Sequence, residues 1–163
     1  MRRIIALTAA LMMLLCACTP KQQKIEDPVT FYYWRNEATF GSADSVIAPE
    51  TREASGYRDN LIDLLQIYLR GPQSQDLRTT FPMGTKVVSL QILGGTAKIE
   101  LNRQFTYLSG LDLSIACACI TRTLMDLSGC NTVIITAPGA GGETSFYLSM
   151  DQNDLLLIDS PAG

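Results

Sequence analysis

The chain is 163 residues long and carries 13 Lys and Arg against 16 Asp and Glu, a net charge of −3, with no histidine. That balance argues against nucleic-acid binding, which needs a basic footprint, and against electrostatic docking on anionic lipid. The missing histidine excludes Ser-His-Asp and Cys-His catalysis and the commonest zinc ligand sets.

The chain opens Met1-Arg2-Arg3 and runs from Ile4 to Leu15 with Thr8 as the polar interruption. A basic start followed by a short apolar stretch is the layout of a secretory signal. A membrane-crossing helix needs roughly 20 apolar residues, and Pro20-Lys21-Gln22-Gln23-Lys24 ends this run earlier. Leu15-Cys16-Ala17-Cys18 resembles the cleavage pattern of a bacterial lipoprotein signal. Ala17 is small enough to precede the cut and Leu15 is not, so Cys18 is the expected acyl acceptor and residues 1–17 the discarded signal. Two or more acyl chains, palmitate among them, anchor stably where one does not. Residues 18–27 then form a polar tether. Without residues 1–17 the chain keeps 11 basic residues against 16 acidic ones, a net charge of −5. Membrane attachment would therefore come from the lipid, on the extracytoplasmic side of the cell membrane.

Residues 28–163 have the size of one domain. "VTFYYWR", Val29 to Arg35, alternates Val29, Phe31 and Tyr33 with Thr30, Tyr32 and Trp34, and reads as a strand. Residues 45–55 read as a second extended segment interrupted by Pro49. In "YRDNLIDLLQIYLRGP", Tyr57, Leu61, Leu64, Leu65, Tyr68 and Leu69 recur at helical spacing, and Gly71-Pro72 stops the helix. Residues 73–85 read as a polar connector with Pro82 and Gly84 as breakers. "KVVSLQILGGTAKIELN" reads as a hairpin turning at Gly94-Gly95, with Val88, Leu90 and Ile92 on one face and Ala97, Ile99 and Leu101 on one face of the return strand. Leu113, Ala116, Cys117, Ile120, Leu124 and Leu127 form the stripe of a second helix, which Gly129 ends. "TVIIT" reads as a buried strand, and "SFYLSM" and "LLLID" as a final hairpin about residues 151–154.

Several of these stretches occur in an order that resembles the GerMN domain family of bacterial sporulation and spore germination proteins. They are "TRE" at 51–53, Leu69-Arg70-Gly71-Pro72, Pro82-Met83-Gly84-Thr85, Gly95-Thr96-Ala97, Arg103-Gln104-Phe105 and Thr123-Leu124. The resemblance runs from about Thr51 to Thr136. It implies an α+β fold, an α/β sandwich with two helices packed on one face of a mixed, mostly antiparallel sheet, like the ring-building modules of membrane-associated assemblies. The extra C-terminal hairpin departs from the family pattern. The resemblance also implies a non-enzymatic lipoprotein, with Gly71, Pro72, Pro82, Gly84, Thr85, Gly95 and Thr96 as structural motif residues.

The chemistry-bearing residues are few. Cys117 and Cys119 are two apart on a helix and point about 200° apart, so they read as small packing residues rather than metal ligands or a redox pair. Gly139-Ala140-Gly141-Gly142 lacks the Gly-Lys-Ser/Thr of a phosphate loop and reads as a linker. Asp59 and Asp63 read as a solvated helix face. No cofactor and no metal is expected. Tyr32 and Trp34 are the candidate contact residues if their strand face is open, and Arg52 is either a contact residue or half of an ion pair. The expected function is a lipid-anchored binding or scaffolding module in cell-envelope or spore assembly, with envelope proteins as partners and self-association as a further option. The alternative is a lipoprotein that binds peptidoglycan or another wall polymer.

Overall fold

The computed structural model describes residues 27–37, 45–57, 59–139 and 144–159. The proposed signal, Cys18, most of the tether and the glycine-rich stretch at 140–142 lie outside them.

The strands fall into two sheets rather than one. The first has three strands in the order β2 (Ile47–Glu53), β1 (Pro28–Arg35) and β3 (Leu77–Arg78), all antiparallel. The second has four, in the order β4 (Val87–Leu93), β5 (Thr96–Leu101), β6 (Thr132–Pro138) and β7 (Thr144–Asp151). β5 and β6 are parallel and the other neighbours antiparallel. The parallel pair needs a long crossover. A 3-10 turn at Arg103–Tyr107 and helix α2 (Gly110–Ser128) supply it.

α2 contacts β1 of the first sheet and β6 and β7 of the second. Residues 115 to 121 are consequently all buried, including both flanks of the helix. Two covered flanks explain why the helix presents Ala116, Ala118 and two cysteines, since small side chains let two sheets approach one axis. Gly129 ends it in the left-handed conformation, φ 69°, and its N–H bonds the Met125 carbonyl.

Helix α1 (Leu61–Leu69) starts later than its apolar spacing predicts. Asn60 caps it, its side chain accepting the N–H groups of Ile62 and Asp63, and Tyr57 lies outside the helix, half-exposed. α1 packs on β4, and its Tyr68 ring stacks among Phe31, Tyr33 and Phe81 at 5.0 to 5.3 Å.

β1 is bonded along one edge to β2, but β3 covers only Trp34 and Arg35 on the other. Side chains close the gap. The Tyr32 N–H donates to Thr123 Oγ1 of α2 at 3.0 Å, and the Tyr68 hydroxyl of α1 donates to the Tyr32 carbonyl at 3.0 Å. Thr123 and Tyr68 are fully buried. Pro49 sits opposite Tyr32. Because Tyr32 turns its backbone away from β2, Pro49 turns its own toward the open edge, where the missing N–H costs nothing.

Two expectations are corrected at the ends of elements. The segment "LLLID" is not a strand: β7 runs straight into helix α3 (Gln152–Asp159), and the partner of β7 in the C-terminal hairpin is β6. The Asp151 carboxylate accepts the N–H groups of Asn153 and Asp154, and Asp154 Oδ2 accepts the Asp151 N–H. This reciprocal cap starts a helix where alternation suggested a turn. In β4, an irregularity between Val87 and Ser89 buries Val87 and leaves Val88 exposed, so Val88 does not simply continue the Leu90–Ile92 face.

Thr123→Val removes a buried acceptor at constant shape. It is expected to destabilise the fold by about 1–3 kcal/mol, the cost of an unsatisfied buried amide, measured by urea unfolding, with Thr123→Ser close to wild type.

Candidate functional site

The residues singled out in the sequence fall into three places. Arg52 is 8% exposed and belongs to the interior. Its guanidinium pairs with Glu50, donates to the Gly71 carbonyl at 2.6 Å, and lies 5.3 and 5.5 Å from the Phe31 and Tyr33 ring centres. Glu50 also accepts the Gln73 and Ser74 N–H groups at 2.9 and 2.7 Å, and the Tyr33 hydroxyl donates to the Tyr68 carbonyl at 2.8 Å. "TRE" at 51–53 and Gly71-Pro72 are thus two halves of one clamp. It fastens the end of α1 to the first sheet, and Gly71, at φ 100°, supplies the bend.

Tyr32 and Trp34 are not the open aromatic face that strand alternation allowed. Trp34 is 9% exposed, with the Arg78 guanidinium stacked 3.5 Å from its ring centre. Tyr32 is half-buried. Its hydroxyl donates to Asp126 Oδ2 at 2.8 Å, and Arg122 lies 5.3 Å from its ring centre. Burial raises the Tyr32 phenol above its ordinary value; an Arg122 hydrogen bond opposes the rise and Asp126 adds to it. Arg122 and Asp126 form one wall of a polar cleft of about 480 Å³, with Asn131, Asp151 and Asn153 opposite. The cleft offers hydrogen bonds of both kinds, and Cys130 also lines it.

The third place is a groove of about 730 Å³ between α1 and the turn that enters β4. Arg70, Pro82, Gly84 and Thr85 line it with Lys86 and Asp63, and Met83 stands at its rim 97% exposed. Thr85 holds the turn by donating its hydroxyl and its N–H to the Pro82 carbonyl at 2.7 and 3.1 Å. Asn102, at the end of β5, clamps it from the other side, donating to the Gly84 carbonyl at 2.9 Å and accepting the Lys86 N–H at 3.0 Å. Gly95 and Thr96 lie apart from the groove, at the hairpin turn, where the Gly95 carbonyl accepts the Asn131 and Thr132 N–H groups. The motif residues were legible as punctuation. The partners that hold them, Arg52 and Tyr33 at the Gly71 carbonyl and Asn102 at the Gly84 carbonyl, carry no local signal because each acts across a large sequence separation.

Cys117, Cys119 and Cys130 are buried and joined in no disulfide, and among the described residues no group of three or more His, Cys, Asp or Glu could hold a metal. Burial pushes the Cys117 thiol up to about 12 from its ordinary 9.0. It also raises the Tyr33 and Tyr68 phenols above 10.0, with Arg52 partly opposing at Tyr33. Each folded-state value lies above the unfolded one. The stability these groups contribute is therefore complete below the unfolded values and lost as pH rises through the folded ones. Unfolding free energy should fall above about pH 9, read from denaturant curves across alkaline pH, and a thiol reagent should modify Cys117 and Cys119, which are 0% and 1% exposed, only on unfolding. Arg52→Ala leaves Glu50 and the Gly71 carbonyl without their cation and should cost roughly 3–5 kcal/mol in the same measurement.

The tandem GerMN domains of the sporulation protein GerM from Bacillus subtilis share 23% identity with the chain, with a TM-score of 0.52, over 71% of this chain and 40% of that one. The chain thus spans well under half of that tandem structure, and the likeness shows a shared fold. The first GerMN domain of the same protein aligns at 15% identity over 83% of this chain and 94% of that one, TM-score 0.46. A candidate lipoprotein from Clostridium perfringens aligns at 16% identity over 81% and 93%, TM-score 0.45. No curated protein matches. No helix among the described residues is long and apolar enough to cross a membrane. The family model described as "Germane: Sporulation and spore germination" matches residues 30–143, which take in the clamp, the groove, the first sheet from Thr30 onward and the strands β4 to β6 of the second, and the chain belongs to that family.

Proposed function

We propose that the chain is a lipid-anchored, extracytoplasmic module that works by protein–protein contact in cell-envelope or spore assembly, without catalysis. The observation that carries this reading is the groove beside Pro82-Met83-Gly84-Thr85. Family-motif residues build its wall, and Met83, a flexible apolar side chain, is presented fully to solvent in a groove that Arg70, Lys86 and Asp63 also line. An exposed methionine beside charged groups of both signs suits an adaptable protein surface. The polar residues that might have suggested chemistry, Arg52, Glu50, Tyr68 and Thr123, are engaged in holding the fold. The wall-polymer alternative calls for an aromatic face open to stack on a sugar. Arg78 occupies that face of Trp34, which leaves exposed tyrosines such as Tyr107 and Tyr147 as the aromatics such a reading would have to use.

The anchor reading rests on Leu15-Cys16-Ala17-Cys18 and on the polar run that separates it from β1. Cys18→Ala should move the protein from the membrane to the soluble fraction and abolish incorporation of labelled fatty acid. Retention with acylation intact would refute the anchor. A photo-crosslinking residue in place of Met83, in the native host, should capture envelope proteins, most strongly during spore formation. Capture of wall fragments alone, unchanged between growth and sporulation, would favour the wall-polymer reading instead.

A further inference from the structure

β4 is the last strand of the four-stranded sheet, and among the described residues its outer edge is closed only at one end. There Gln66 Nε2 donates to the Val87 carbonyl at 3.0 Å, and the irregularity at Val87/Ser89 interrupts the ladder. Residues 89 to 93 lie beyond both. The β4–β5 turn has Gly94 at φ 57° and Gly95 at φ 78°, so the closing pair Leu93–Thr96 is hydrogen-bonded. Bonding alternates from there: Leu93, Gln91 and Ser89 face β5, and Leu90 and Ile92 turn their N–H and C=O groups outward. Exposed edges are ordinarily guarded by charge or proline. β2 has Pro49 and charged neighbours, whereas "VVSLQIL" has neither. Leu90 and Ile92 also share the face of Ile99 and Ala97 at the rim of the core. Ile92 is 42% exposed there, in a cleft of about 300 Å³ shared with Leu61 and Ile62.

We propose that this edge pairs antiparallel with β4 of a second copy about a two-fold axis at Gln91, joining two four-stranded sheets into one. The strand is self-complementary in that register. Leu90 of one copy faces Ile92 of the other, Ser89 faces Leu93, and Gln91 faces itself, so apolar rims merge and no charge in the segment opposes another. The outward N–H and C=O groups of Leu90 and Ile92 satisfy each other, as an isologous contact requires. A second copy is the occupant the pattern specifies, because its own sequence supplies the matching order of side chains. The contact is short and falls below roughly 1,200 Å² of buried surface, the range of weak association. The dimer is therefore concentration-dependent, and it does not require the anchor or the groove.

The test uses the full-length chain in detergent micelles. Gln91→Cys places a thiol opposite itself in a non-hydrogen-bonded pair, with Cα atoms about 4.5 Å apart, inside disulfide range. Mild oxidation should give a covalent dimer well above the wild-type background. Ser89→Cys or Leu93→Cys alone should not, and the two combined should restore it. Gln91→Glu keeps the hairpin by facing Lys98 across it, but sets two carboxylates against each other on the axis. It should shift sedimentation toward monomer with the unfolding midpoint unchanged or higher. A wild-type monomer at high concentration, equal cross-linking at Ser89→Cys and Gln91→Cys, or a Gln91→Glu variant that dimerises like wild type would each overturn the proposal.

Discussion

The open edge of β1 is the constraint from which the rest of the structure follows. A strand bonded fully on one side only leaves backbone groups that cannot be buried unpaired without a cost of about 1–3 kcal/mol each. Here Thr123 and Tyr68 supply the missing partners from two helices. Both side chains are fully buried, so their bonds form away from competing water. Meeting at Tyr32 fixes α1 and α2 relative to the first sheet. α2 in turn carries the second sheet, because it is the crossover between the parallel strands β5 and β6.

The same logic organises the Gly71-Pro72 turn. Arg52, Glu50 and Tyr33 converge on it from the first sheet. A buried cation is tolerable only when its charge and hydrogen bonds are met; Arg52 has a carboxylate, a carbonyl and two ring faces. With the helix end held there, the chain leaves along β3 and returns through Pro82–Thr85, which places the groove beside Arg70. The position of the groove thus derives from a clamp at the end of α1, and the exposed Met83 is presented by a turn whose own bonds are closed by Thr85 and Asn102.

The strands and both main helices were legible in the chain because their signals are local. Alternation of Val29, Phe31 and Tyr33 survives in the structure as the buried face of β1, and glycine marks the β4–β5 turn and the end of α2. What was misread depends on single side chains acting as caps. Asn60 delays α1, and Asp151 with Asp154 starts a helix in place of a strand. The two-residue β3 is too short for any periodicity to show. The irregularity in β4 shifts Val87 inward without altering the alternation of apolar letters.

The sequence alone determined the types of the longer strands and of both main helices, the absence of histidine chemistry, the signal-like start and the ordered motifs that point to the GerMN family, because each is a property of neighbouring residues. Tertiary structure decided what those residues do. Whether Trp34 is open or stacked under Arg78, whether Arg52 is a contact residue or a buried clamp, and which strand edge remains unbonded all turn on partners tens of residues away. The strands divide into two sheets because a helix of small residues fits between them. That fit is a matter of volume and of unsatisfied backbone groups, and neither can be read from the order of residues along one strand.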